Sequence, residues 1–385
     1  MTGRRRSFLP KPHVLALTAL LGLASPVAAL DFSIFVDPED NYIDASAFLA
    51  RGGFIPVPVI ITEPAVDGGF GIIGQFVRTP EHPGDQPPRT MIGIARTGNG
   101  STAGGILRGG NMREGQVRYK YGFGAADMTV PIFPFGLEQS IDYNNKNLAA
   151  FANARMRLGE SDFWAGPRFV YRKTDLSFGE DAELGPVASR VRDEINSLFD
   201  SKQYIALGVS LHYDTRNNPL SPTDGINGVL RWDVYDDAFG SDADFKLGQA
   251  VLASFTEFGD DWSIGLMSKY KWATGDNPFF TSPSVDLRGL QSGRYSGDSA
   301  YSTEFELRKQ FSTRWGGVLF GGYGESFVDD SRLYDAEGDI WTYGAGVRYR
   351  IARKMGLDMG LDLAKGPEEH IFYIQFGHAW GREMD

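Results

Sequence analysis

Length, composition and charge exclude several classes of protein. The 385 residues include 38 Lys and Arg, 49 Asp and Glu, and no cysteine. The formal net charge of −11 argues against a protein that binds nucleic acid through its phosphates, and the missing cysteines exclude disulfides and thiolate metal sites.

The beginning of the chain predicts an export signal. Arginines at 4–6 precede an apolar stretch at 14–23 and a small-residue site at 27–29. About ten apolar residues are too few to cross a hydrocarbon core of ~30 Å, so residues 1–29 are predicted to be a signal peptide. Residues 30–53 then form a short periplasmic segment in which 39–50 could make one amphipathic helix. No folded periplasmic domain is expected in so short a space.

Alternation of apolar with small or charged residues is the main structural signal in the rest of the chain. It is clearest over 205–214, 228–235, 343–350 and 355–364. A soluble β-sandwich also alternates, but charges on the face of small residues suit a water-filled lumen better. The pattern therefore predicts an all-β protein, an antiparallel transmembrane barrel over residues 54–385.

Sixteen strands can be placed, and the even number is typical of single-chain outer-membrane barrels. Long connections at 177–202, 274–300 and 328–340 are then extracellular, and tight turns at 159–161, 258–260 and 312–314 are periplasmic. The predicted strands are 54–62, 66–78, 89–97, 101–111, 116–131, 140–158, 162–176, 203–216, 227–236, 244–257, 261–273, 301–311, 315–327, 341–351, 355–364 and 369–380.

Three segments resemble the bacterial surface antigen barrels, the Omp-eighty-five superfamily. The most specific, Leu287-Arg288-Gly289-Leu290, is similar to the tip of that family's sixth extracellular loop. The second, 214–225, resembles its periplasmic turn between strands 8 and 9, and the third covers the final strands from 344 to 380. The resemblance implies an integral outer-membrane barrel of the stand-alone type that lacks periplasmic POTRA domains.

The resemblance also implies that Arg288 folds back into the lumen and is held by strands 12 and 13. The family's Phe-x-Asp-x-Gly motif corresponds here to Phe320, Gly322 and Gly324, so glycine occupies the aspartate position. Glu304 or Glu306 is therefore the predicted partner of the arginine, because a buried guanidinium needs a carboxylate. The alternative is that Arg288 is solvated in a surface loop.

The last predicted strand carries a possible assembly signal. Phe372, Ile374, Phe376, His378 and Trp380 would share its lipid-facing side. A strand that ends in an aromatic residue, here Phe376 and Trp380, resembles the signal that barrel assembly machinery reads. The alternative is that Trp380 is only a girdle residue.

Function is less closely specified than fold. We expect no enzyme, cofactor or metal site, since no nucleophile, histidine and acid arrangement or metal-ligand spacing emerges; a phospholipase-type hydrolase is disfavoured on this ground. The leading prediction is outer-membrane biogenesis, or protein or lipid transport, with a separate periplasmic or lipoprotein partner. The alternative is a passive diffusion channel whose lumen is lined by Arg168, Arg172, Arg231, Asp233, Lys269, Lys271, Arg348, Arg350, Asp358 and Asp362.

Overall fold

The protein forms a nearly closed barrel of sixteen antiparallel strands. The computed structural model describes residues 32–50, 53–77, 88–133, 140–178, 201–328, 339–381 and 383–384; the predicted signal peptide lies outside these ranges. The strands are β1 Gly53–Ile61, β2 Gly69–Val77, β3 Arg89–Thr97, β4 Thr102–Met112, β5 Val117–Ile132, β6 Ile141–Arg157, β7 Phe163–Phe178, β8 Lys202–Asp214, β9 Gly225–Tyr235, β10 Phe245–Phe258, β11 Trp262–Gly275, β12 Ser299–Gln310, β13 Trp315–Phe327, β14 Ile340–Ala352, β15 Leu357–Lys365 and β16 His370–Phe376.

Each strand is hydrogen-bonded to the next in sequence, from β1 to β16. Across the described residues, no ladder joins β16 back to β1, so a seam remains between the first and last strands. The predicted fold class and strand number are therefore confirmed. The predicted strand 2 begins three residues early, because Pro64–Val66 forms a separate 3₁₀ turn.

The two faces of each strand differ in the way that the alternation predicted. Large apolar side chains such as Ile94, Leu252 and Tyr343 point outward and are exposed, as is required of a surface that meets lipid. Glu304 and Asp362, on the opposite face, are almost completely buried inside the barrel. No helix among the described residues is long and apolar enough to cross a membrane.

The N-terminal segment docks on the turn that follows β12. Arg314 in that turn donates to Asp37, Asp40 and Asp44, each at 2.6 Å. The backbone N–H of Ala45 donates to a carbonyl of β14 at 2.6 Å. The segment thus holds the chain against the barrel before β1 begins.

The predicted helix over 39–50 was too long. Only Ser46–Ala50 is helical, preceded by a 3₁₀ turn at Phe32–Phe35. Asp40 and Asp44, which lie in that stretch, accept hydrogen bonds from Arg314 instead. The side chain of Asp44 also accepts the N–H of Ser46 at 2.6 Å.

The last strand is also shorter than predicted. It ends at Phe376 because Gly377 has a φ of +80°, a left-handed conformation that turns the chain inward. His378 and Trp380 were predicted to face lipid, and this was wrong: both are buried inside the barrel, Trp380 with 2% of its surface exposed. Phe376 remains on the lipid face, 51% exposed.

Candidate functional site in the barrel lumen

The connection between β11 and β12 folds into the lumen as a hairpin. The N–H of Val285 donates to the carbonyl of Tyr295 at 2.9 Å, and an isolated bridge pairs Ser284 with Ser296. At its tip the φ of Gly289 is +101°, which glycine adopts without steric cost. The hairpin thereby points Arg288 toward the inner faces of β12 and β15.

Arg288 is surrounded by three carboxylates. Its guanidinium donates to Glu304 at 3.0 Å and to Asp362 at 2.8 Å, and forms an ion pair with Glu306 at 2.7 Å. Its Cζ atom lies 3.6 Å from the ring centroid of Phe320, a cation–π contact. Arg288 is only 9% exposed, so the alternative of a solvated loop arginine was wrong.

Charges of both signs balance in this cluster. Arg308 donates to Glu306, and Arg348 donates to Asp362 at 3.1 Å. With Arg288 and Glu304 the cluster holds three arginines and three acids. Removing charges from water costs several kcal/mol per ion, and this cost is offset only where partners are complete. The cluster therefore depends on all its members being present.

Two glycines of β13 make room for the loop. A Cβ atom at Gly322 would lie 2.8 Å from Leu287, and one at Gly324 would lie 2.3 Å from Val285. An aspartate at 322, as the family motif has it, would overlap the loop side chain. Asp362 on β15 supplies the carboxylate from another direction. It occupies space that Gly346 leaves free, because a Cβ atom at position 346 would lie 1.8 Å from that carboxylate.

The end of the chain packs against the same cluster. The indole Nε1 of Trp380 donates to Glu304 at 2.5 Å, and Glu383 forms an ion pair with Lys269 at 3.0 Å. His378 lies 3.5 Å from Glu306 and packs its ring edge against Phe255. Residues 377–381 and 383–384 therefore lie in the lumen beside the loop.

The structure brings together only some of the residues predicted to line the lumen. Arg348 and Asp362 belong to the Arg288 cluster. Lys269 and Lys271 instead bind Asp286 in the loop, Arg168 pairs with Asp233 at 2.9 Å, and Arg350 pairs with Asp358 at 3.0 Å. Elsewhere, Arg172 stacks on Phe280, and Arg231 sits on β9 opposite Gln249.

Sequence reasoning missed four participants: Asp286, His378, Trp380 and Glu383. Asp286 directly precedes the loop motif and could have been chosen as a partner for the two lysines of β11. Trp380 and Glu383 could not be found by periodicity, because Gly377 breaks the alternation before them.

Three carboxylates also meet at the connection between β9 and β10. Asp236, Asp237 and Asp244 lie within 4.8 Å of one another. Asp236 accepts the N–H of Ala238 at 2.9 Å, and Asp244 accepts that of Asp237 at 2.8 Å. These hydrogen bonds order the turn, and nothing further marks the group as a metal site.

Comparison with solved structures supports the barrel. Similar structures include BamA from Haemophilus ducreyi lacking POTRA domains 1-3, with a TM-score of 0.59, 12% identity, and coverage of 85% of this chain and 69% of that one. CdiB from Acinetobacter baumannii and from Escherichia coli each give a TM-score of 0.56 at 12% identity. Those alignments cover 84% and 83% of this chain, which spans 59% and 61% of the two CdiB chains. No protein-family model and no curated protein matches the sequence. The likeness is therefore one of fold: a sixteen-stranded antiparallel β-barrel similar to the barrels of BamA and CdiB.

Proposed function

We propose that this barrel acts in outer-membrane biogenesis, or in protein or lipid transport, together with a separate periplasmic or lipoprotein partner. The observation that carries the proposal is the lumen loop held by Arg288 on Glu304, Glu306 and Asp362. A passive diffusion channel needs a continuous water path, whereas here the loop and residues 377–381 and 383–384 occupy the side of the lumen next to β12–β15.

The seam between β1 and β16 supports the same proposal. Edge strands elsewhere in proteins are templates for pairing or are blocked against it, and a seam in a membrane barrel connects the lumen with the bilayer sideways. A barrel whose first and last strands are not joined by a ladder could part there, which suits a protein that delivers material into the membrane and is not needed by a porin.

The periplasmic end offers a place for the partner. The N-terminal segment is fixed there through Arg314, and a polar recess of about 490 Å³ opens nearby. Asn217, Glu257 and Lys309 are among the residues that line it. Amides and charges in a shallow recess suit a polar, transient interface.

Planar-bilayer conductance separates this proposal from the passive channel. We expect the unmutated protein to be closed or to open only briefly, and Arg288→Ala to open more often because the loop loses its anchor. Large, stable channels in the unmutated protein would overturn the proposal in favour of a porin.

A depletion experiment tests the cellular role directly. Outer membranes isolated after depletion should contain fewer barrel proteins or an altered lipid composition, and expression of the unmutated chain should restore them. Unchanged membranes, with only the uptake of small solutes reduced, would again favour the channel.

A further inference from the structure

The inner face of β1–β5 is mainly apolar, with Gln75 as a polar exception beside Met91, and it contrasts with the charged inner face of β12–β15. Strand register aligns glycines of β3, β4 and β5 in one row and alanines of the same strands in the next. Larger apolar side chains border these rows toward β1 and toward the periplasm. The set is Val57, Val59, Ile73, Met91, Gly93, Ala95, Ala103, Gly105, Leu107, Gly122, Gly124 and Ala126.

These side chains are accessible. None of Val57, Ile73, Met91 or Leu107 is buried, although charged residues on the opposite wall are. Contiguous accessible apolar surface is unfavourable in water, and large patches of it commonly mark binding sites.

A cavity continues this apolar face at its extracellular end. It has a volume of about 370 Å³ and is lined by Ile61, Val66, Ala95, Met128 and Val130, among others. From Gly122 to Val130, β5 rises roughly 27 Å. That length exceeds the roughly 15 Å that one leaflet of a ~30 Å hydrocarbon core occupies.

Two basic residues stand at the periplasmic end of the same face. Arg89 on β3 and Lys120 on β5 are both paired with Gly109 of β4, which has no side chain to fill the space between them. Because neighbouring strands are about 4.8 Å apart, the backbones of Arg89 and Lys120 are roughly 10 Å apart, and their long side chains can reach the space above Gly109 from both sides. Such an arrangement complements one anionic group.

The free edge of β1 makes this face continuous with the lipid-facing surface. Pro56 and Pro58 have no N–H, so they cannot be hydrogen-bonded pairs in the ladder with β2, and their carbonyls must point to the free edge. A ladder between β1 and β16 would therefore lack two donors. Phe54 and Ile60 cover the outer face of the same strand, so an apolar molecule meets apolar surface on both sides of it.

We propose that the inner face of β1–β5 binds a glycerophospholipid from the periplasmic leaflet. Its acyl chains lie along the glycine and alanine rows, and its phosphate lies between Arg89 and Lys120. The position of the two cations at the periplasmic end selects the periplasmic leaflet as the source. This binding is separable from the proposed function, because the protein can hold a lipid whatever material it transports.

Photo-crosslinking tests the proposal on the full chain. The protein is reconstituted in phosphatidylglycerol vesicles that contain a phospholipid with a photoreactive acyl chain, and adducts are mapped by mass spectrometry. Lumen-facing Met91, Leu107 and Met128 should carry adducts, as should lipid-facing Ile92 and Ile106. Adducts confined to the lipid-facing residues would overturn the proposal.

Matched variants locate the site. Ala95→Asp should reduce lumen adducts at least about tenfold, because an unpaired charge in an apolar contact is costly, whereas Ala95→Ser should leave most of them. The double variant Arg89→Gln, Lys120→Gln should abolish any preference for phosphatidylglycerol over phosphatidylcholine, and Arg108→Gln on the other face of β4 should not. An unchanged preference in the double variant would overturn the headgroup assignment even if Ala95→Asp failed to fold. Heat-modifiable mobility on a gel checks folding of each variant.

Discussion

The wall formed by β12–β15 and the wall formed by β1–β5 face one lumen with opposite chemistry. The first buries Glu304, Glu306, Arg348 and Asp362 against a loop arginine. The second presents glycine, alanine and aliphatic side chains that remain accessible. One wall is filled by the protein's own chain, and the other is left for something else to fill.

The difference also concerns how each wall tolerates change. A buried charge cluster is stable only while every charged group has a partner, so removing one charged residue there strongly destabilises the protein. An accessible apolar face has no such dependence, because small changes meet solvent or ligand instead of packed atoms. Substitutions in the two walls should therefore differ strongly in cost.

Arg288→Ala should have the largest effect. It leaves Glu304, Glu306 and Asp362 with one cation fewer inside the barrel, and breaking a buried ion pair in this way costs about 3–5 kcal/mol. The free energy of unfolding, followed by tryptophan fluorescence in urea with the barrel in vesicles, measures the loss. Arg288→Lys should lose less, since it keeps the charge. A loss below about 1 kcal/mol, as for an exposed pair, would mean that the cluster does not stabilise the barrel.

Trp380→Phe should cause the second-largest loss in the free energy of unfolding. The variant keeps an aromatic ring beside Phe255 but removes the N–H that donates to Glu304, and a hydrogen bond to a charged group contributes about 1.5–3 kcal/mol. The same urea titration measures it, and faster proteolysis of the C-terminal residues should accompany it. Trp341→Phe on the lipid-facing side is the matched control, and an equal loss there would contradict the assigned role.

Gly322→Asp restores the residue that the family motif has at this position, and it should nevertheless destabilise this chain. The new Cβ atom would overlap Leu287, and overpacking typically costs about 1–3 kcal/mol. Leu287→Ala in the same chain should recover part of the loss. If Gly322→Asp is neutral alone, the glycine is not what admits the loop.

The comparison of walls also explains what sequence could predict. Alternation gave fifteen of the strands to within a few residues, because each strand's two faces meet different solvents. It also identified Glu304 and Glu306, because both lie on the inward face of the twelfth predicted strand. Asp362 was expected in the lumen but not as a ligand of Arg288, because that contact depends on the register of β12 through β15.

The apolar wall was not recognised for a different reason. Glycine and alanine at alternate positions, as at Gly93 and Ala95, contrast with the larger outward residues and so resemble an ordinary lumen face. Only the register of several neighbouring strands shows that no charged residue lies among these glycines and alanines. The C-terminal residues were misplaced because one left-handed glycine, Gly377, reverses the faces that periodicity assumes.

Acid should loosen the N-terminal segment before it unfolds the barrel. Burial opposes ionisation of Asp44, but hydrogen bonds from Ser46, Arg353 and Arg314 outweigh it and lower the pKa of Asp44 to about 2. Since this pKa lies below its ordinary value of 3.8, the carboxylate stabilises the docked segment above about pH 4, and the contribution is lost as the pH falls toward 2. The hydrogen-exchange protection of the Ala45 N–H should fall over that range. Asp44→Asn should weaken protection at neutral pH and flatten its pH dependence; protection that stays constant down to pH 2 would contradict the assignment.

The smallest effect is expected from Ala103→Ser, and its comparison with Ala364→Ser tests the contrast between the walls. Ala103 is exposed on the apolar face, where a hydroxyl can meet water, so its substitution should change the free energy of unfolding by less than about 0.5 kcal/mol. Ala364 is fully buried against Val318 and Phe320, and a hydroxyl without a partner there should cost about 1–3 kcal/mol. Both are measured by a urea titration with the barrel in detergent micelles instead of vesicles, so that no phospholipid occupies the β1–β5 face. Equal costs would mean that the β1–β5 face is as tightly packed as the charged wall, and it would then have no room for an acyl chain.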